Sequence, residues 1–212
     1  MTSLRGVYAI TDDQLLPDER LPAAISDALR AGARLVQRRS KARTPEANLH
    51  AAAAVNSLCQ AAGVPLVIND DIDLCLEIGA AGVHLGRTDE CISIARSRLP
   101  ENSIVGATCH DSLAAAREAQ EAGASYVAFG RFYPSRTKPQ ASPAPVELLS
   151  EASSCLDIPL VAIGGINCEN GAPLIQAGAD MLAAIHGVFG ETNRIFENTA
   201  ALVQLFEGPG QS

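Results

Sequence analysis

Short apolar runs recur along this chain, and each one stops against polar or charged residues. RLVQ passes into RRSK at 34–41, PLVIN into DD at 65–71, and GVHLG into RTDE at 82–90. SIVGA passes into TCH at 103–110, YVAFG into RFYPSRTKP at 126–139, and PLVAI into GGIN at 159–167. The runs are rich in Val, Ile and Leu, as parallel strands covered on both faces are. They predict strands at 5–10, 34–38, 65–69, 82–86, 103–107, 125–129, 159–163 and 180–185. Amphipathic stretches between them predict helices at 21–31, 45–62, 72–79, 91–98, 111–122, 144–154, 168–177 and 191–206. Strands and helices alternating in this way fit a single closed (β/α)8 TIM barrel of the α/β class better than an open sheet. Chemistry gathered where successive strands stop then places the active site at their C-terminal ends.

A faint internal repeat supports the barrel. AGARLVQ at 31–37, GAAGVHLG at 79–86, AGASYVAFG at 122–130 and AGADMLAAI at 177–185 each turn from a helix end directly into a strand. Gly32, Gly79, Gly123 and Gly178 are expected in the left-handed conformation that ends a helix. Residues 1–207 read as one domain with no linker, and GPGQS at 208–212 reads as a flexible tail. The longest irregular stretch is 130–143, and a loop of that length inside a compact barrel is often functional.

Composition narrows the partners. The 212 residues are 47% hydrophobic but only 4% aromatic, so Ala, Leu, Ile and Val must fill the core. A net charge of −8 argues against nucleic-acid and acidic-membrane partners, which reward a basic face. An anionic small substrate then needs a local pocket of cations and backbone N–H groups. The six cysteines form no CxxC pair and read as free thiols of a reducing compartment. The N-terminus is too short and polar for a signal peptide, and no run approaches the ~18 apolar residues of a membrane span. A cytoplasmic protein is expected.

Four motifs carry candidate chemistry. In QRRSK, Gln37, Arg39 and Lys41 alternate and share one side of an extended chain, a donor set suited to a polyanion or simply to a solvated strand end. In INDD, Asn69 and Asp70 close a strand; Asp70 or Asp71 could cap the following helix instead of binding anything. Asp89 stands at the matching place after the next strand, and two carboxylates with a diphosphate suffice for Mg²⁺. Asp73 and Glu90 compete for that role. GRFYPSRTKP carries Ser135, Arg136, Thr137 and Lys138, hydroxyls and cations close enough to cradle a phosphate without being a P-loop. IGGI with Gly165, and AIHGVFG with Ile185 and His186, offer backbone N–H groups after the last two strands, where barrels often bind phosphate. His84 lies within a strand and reads as a packed, hydrogen-bonded residue. His50 reads as structural, and no Ser/His/Asp or Cys/His nucleophile arrangement is readable.

YAITD, QRRSK, INDD, GVHLG, GATCH, FGRFYPSRTKP, AIGGI and HGVFG, in this order, resemble the thiamine-phosphate synthase family from about residue 4 to 206. No single segment is specific; their ordered set is. The resemblance implies a Mg²⁺-dependent transferase that joins a pyrimidine diphosphate to a thiazole phosphate, plain or carboxylated, and releases pyrophosphate after a dissociative ionisation. It implies that Gln37, Arg39 and Lys41 hold the pyrimidine diphosphate, with Asn69 on the ring and Thr108 in contact, and Arg38 and Ser40 count among the substrate-binding residues. It implies Mg²⁺ on Asp70 and Asp89. Ser135, Thr137, Gly165, Ile185 and His186 then take the thiazole phosphate, Lys138 the diphosphate, and Arg136 counts among the substrate-binding residues. Arg39, Lys41, Thr108 and Lys138 are the expected catalytic residues. Thr108 for Ser and Ser135 for Thr keep a hydroxyl; His186 for Ser keeps only the backbone N–H. A homo-oligomer is left open. The rivals are a thiazole tautomerase, which would promote His110, a non-catalytic phosphate-binding barrel, and a sugar-phosphate isomerase, which has no use for QRRSK with two metal carboxylates.

Overall fold

The computed structural model describes residues 4–41, 44–87, 89–137, 140 and 142–207. In chain order the elements are β1 (Gly6–Ile10), α1 (Leu21–Arg30), β2 (Leu35–Arg38), α2 (Pro45–Ala61), β3 (Leu66–Asn69), α3 (Ile72–Ile78), β4 (Gly82–Leu85) and α4 (Ile92–Arg98). They continue with β5 (Ile104–His110), α5 (Leu113–Glu121), β6 (Tyr126–Phe129), α6 (Glu147–Ser153), β7 (Leu160–Ile163), α7 (Ala172–Gln176), β8 (Met181–Ala184), α8 (His186–Phe189) and α9 (Ile195–Glu207). The strands pair in parallel in sequence order, and β1 pairs with β8 (Val7 beside Leu182) to close the barrel. The tail expected at 208–212 lies outside the described residues.

Two buried layers follow from strand alternation. Tyr8, Ile10, Leu35, Val67, Tyr126, Val161 and Met181 form the cluster inside the barrel. Their neighbours Val7, Ala9, Val36, Leu66, Ile68, Val105 and Val127 pack outward under the helices. Each fully buried Val or Leu contributes about 1.5–3 kcal/mol, which is how a chain poor in aromatics holds together. Gly106 makes room in the interior: a Cβ there would lie 2.1 Å from the Tyr126 ring.

Local chemistry sets the helix ends. Thr44, Asp71 and Ser112 each accept a backbone N–H at the start of α2, α3 and α5. The four glycines expected to end helices all have positive φ, and Gly63 is a fifth. Several predicted boundaries differ, the last helix among them, which starts at Ile195 rather than 191; three have a clear local cause. α6 begins later than 144 because Pro145 keeps Ala144 out of helical geometry, and Ala144 N instead donates to Arg131 O. α7 is short because Asn167 accepts from the N–H groups of Glu169 and Asn170, a turn that competes with helix. β5 continues past 107 to His110 through an irregularity in its pairing with β6.

Candidate active site

Every predicted motif among the described residues lies at the C-terminal end of its strand. The acids there sort themselves by partner. Asp71 caps α3, its Oδ1 accepting from Leu74 N at 2.8 Å. Asp73 and Glu90 both pair with Arg98 at the surface. Asp70 is left, with a left-handed backbone (φ 65°) and its N–H given to His84 O at 2.9 Å. A non-glycine residue held in that region costs free energy, and such residues cluster at functional sites. Asp70 Oδ2 accepts from Lys41 Nζ at 2.6 Å and from Asn69 Nδ2 at 2.5 Å.

Asp89 reaches the same point from the β4–α4 turn. Its Oδ2 accepts from Gly86 N at 2.7 Å. Burial raises its pKa above the ordinary carboxylate value, and a hydrogen bond with Asp70 raises it further. Two acids brought this close resist ionising together unless a cation joins them. Among the described residues no group of three or more His, Cys, Asp and Glu could hold a metal. A pair fits Mg²⁺ nevertheless, because that ion keeps several waters and takes only one or two protein carboxylates.

The β2 segment divides. Gln37 points into the barrel and is buried. Arg39 Nη1 donates to Asp12 Oδ2 at 3.0 Å. Arg38 lies on the other side of the strand, its side chain 1% exposed, with Nη1 on Asp13 Oδ1 at 3.0 Å. Its Nε and Nη2 have no hydrogen-bond partner among the described residues. Ser40 Oγ and Lys41 N also donate to Asp13. Arg38 and Ser40 therefore fasten the segment after β1, and the structure does not bring them to the mouth with Arg39 and Lys41. Asp12 and Asp13, in the DD that follows β1, carried no expected role; the polar cluster at that strand's end was their signal.

A cavity of about 450 Å³ opens among Asp12, Asp13, Arg39, Lys41, Arg136, Thr137 and His186. It unites the segment after β1, the β2 end, Arg136 and Thr137 of the stretch after β6, and the segment after β8. That last segment, expected as a loop, is the short helix α8, and His186 and Gly187 open it with N–H groups that have no partner within the helix. Gly165 (φ 66°) stands under the loop: a Cβ there would lie 2.4 Å from Pro134 O. Ser135 is half-buried on the same loop. Lys138 and Thr88 lie outside the described residues. Thr108 is tied to His84, whose Nε2 lies 2.8 Å from Thr108 Oγ1. Tyr8 and Tyr126, which continue that contact inward, were not expected in the site; nothing local in the sequence pairs residues so far apart.

The chain has named relatives. A sequence model of thiamine monophosphate synthase matches residues 7–188. The thiamine-phosphate synthase of Marinobacter nauticus is 51% identical over 185 residues, 87% of this chain and 83% of that one. That of Methylococcus capsulatus is 45% identical over 97% of this chain and 91% of its own. Among solved structures, thiamine phosphate pyrophosphorylase from Pyrococcus furiosus superimposes with a TM-score of 0.87 at 30% identity, covering 97% of this chain and 96% of that one.

Proposed function

The chain belongs to the thiamine monophosphate synthase family, and from that membership and the mouth of its barrel we propose how it makes thiamine phosphate. It is a transferase whose substrates are small molecules. The reading is that it joins an aminopyrimidine bearing a diphosphooxymethyl group to a thiazole bearing a phosphoethyl group, and releases pyrophosphate. The tautomerase and regulatory alternatives are not favoured, since the curated relatives are synthases.

The bond to the diphosphate breaks first. Negative charge then builds on the leaving group, and groups fixed around it act most strongly as that charge develops. Arg39, Lys41 and Arg136 ring the cavity where it would sit. Asp70 and Asp89 would hold Mg²⁺, which supplies Lewis-acid stabilisation of the diphosphate when bound. Lys41, now on Asp70, is placed to serve both acid and diphosphate. Gln37, Asn69 and Thr108 orient the pyrimidine ring, whose amino group shares the positive charge left behind. The second phosphate lies against Ser135, Thr137, Gly165 and the N–H groups at Ile185 and His186, setting the thiazole nitrogen in line to attack. No protein nucleophile is required. Lys138 joins the diphosphate on the strength of the resemblance.

One observation carries this reading: Asp70, Asp89 and Lys41 meet at one point of the mouth. The test is pyrophosphate release from the pyrimidine diphosphate, with and without thiazole phosphate. Release coupled to thiamine phosphate formation supports the reading; a protein that binds both substrates and turns over neither contradicts it. We place the chain in the cytoplasm, because its cysteines are all free thiols. No helix of the described residues is long and apolar enough to cross a membrane.

A further inference from the structure

A chain of hydrogen bonds crosses the barrel interior and joins two residues of the mouth. Gln37 Nε2 donates to Tyr8 Oη at 2.5 Å. Tyr8 Oη lies 2.8 Å from Tyr126 Oη, and Tyr126 Oη lies 2.8 Å from His84 Nδ1. His84 Nε2 lies 2.8 Å from Thr108 Oγ1. Tyr126 stacks on the His84 ring, with centroids 5.6 Å apart. Burial holds both phenols above their ordinary range, so each keeps its single proton.

Counting protons gives the chain a direction. Gln37 gives an N–H to Tyr8, so the Tyr8 hydroxyl must pass its own proton onward. Tyr126 Oη is the acceptor it meets among the described residues. Tyr126 in turn donates to His84 Nδ1. A neutral imidazole has one N–H. It falls on Nε2 and points at Thr108 Oγ1. The Thr108 hydroxyl proton is then left for the mouth, and at the other end Gln37 shows its carbonyl oxygen. Reversing one link alone leaves a buried donor without an acceptor. The cations of Arg39 and Lys41, which follow Gln37, favour the carbonyl end toward the mouth.

We propose that Tyr8, Tyr126 and His84 lock the polarity of the pyrimidine site: an acceptor at Gln37 and a donor at Thr108. The inference rests on the substrate assignment proposed above. An aminopyrimidine carries an amino donor and ring-nitrogen acceptors, the chemical complement of this pair. An oxo group in place of the amino group presents the reverse pattern and leaves both ends mismatched. Tyr8, Tyr126 and His84 are positioning residues; they act through Gln37 and Thr108.

Tyr126→Phe and Tyr8→Phe cut the chain at different links while keeping the rings. The experiment compares kcat/KM for the aminopyrimidine diphosphate with that for its oxo analogue, in the parent enzyme and both variants. The expected result is a loss of at least ~10-fold in amino preference in each variant, with KM for the thiazole phosphate unchanged. A merely structural role would lower both pyrimidines together; an unchanged ratio in folded variants overturns the proposal. A second measurement needs no variant. ¹⁵N NMR of the parent enzyme, which has only four histidines to assign, should find the His84 proton on Nε2 with the aminopyrimidine diphosphate bound. A proton on Nδ1 overturns the proposal. Turnover with an unchanged ratio removes this inference alone; no turnover by the parent enzyme removes the substrate assignment and the inference with it.

Discussion

Asp89 stands against Asp70 across neighbouring turns: burial first, and then the contact with Asp70, raises the Asp89 pKa, although each acid has another partner nearby. Burial and this contact hold the Asp89 carboxyl above its ordinary pKa, so at neutral pH the pair penalises the fold when no cation joins it. The sign follows. A carboxyl whose folded pKa is raised stabilises the fold fully below its unfolded value near 3.8 and loses that contribution as pH rises through the folded value. Asp89→Asn should therefore raise Tm in EDTA at pH 7. The gain should vanish below about pH 4. Thermal melts across pH check this; a lower Tm at pH 7 contradicts it.

Asp71 is adjacent to Asp70 but does a different job. Asp71→Ala removes the cap on α3 and should cost about 1 kcal/mol of stability. The Mg²⁺ concentration giving half-maximal rate should stay as in the parent enzyme. A shift of that concentration as large as the one Asp70→Ala causes would mean that the backbone has assigned the two acids wrongly.

Arg38 and Asp13 form the most buried ion pair described, with side chains 1% and 10% exposed. Asp13→Ala leaves a buried guanidinium whose Nε and Nη2 already lack partners. The expected loss is about 3–5 kcal/mol, on the order of 10 °C in Tm. Chemical denaturation measures it; a loss under about 1 kcal/mol would fit a solvated surface pair instead.

Gly165 has a left-handed backbone and no room for a side chain beneath Pro134. Gly165→Ala should displace the 130–143 loop and raise KM for the thiazole phosphate at least ~10-fold, with a smaller change for the pyrimidine diphosphate. Steady-state kinetics in each substrate separate the two. Equal changes in both KM values would detach Gly165 from the thiazole phosphate.

The barrel was legible because its strands are buried on both faces and so read as unbroken runs such as PLVIN and PLVAI. The rim was legible because polar groups collect where those runs stop. Other features depend on information outside any local window. Asp70 and Asp71 are the same residue type at adjacent positions, and only the positive φ at Asp70 decides which one caps α3. Arg38 sits between Gln37 and Arg39, and alternation already turns it to the other side of the strand, but its partner Asp13 becomes visible only in the fold. Tyr8 and Tyr126 are brought together by barrel closure and by the space at Gly106. The four residues of α8 are too few for periodicity to reveal.

The most direct test of the account is the Mg²⁺ dependence of pyrophosphate release, measured with both substrates for the parent enzyme, Asp70→Ala and Asp89→Ala. The account predicts saturable activation by Mg²⁺ in the parent enzyme and a loss of at least ~100-fold in Mg²⁺-dependent kcat in each variant, with the far-UV spectrum intact. Full activity in both variants would contradict it.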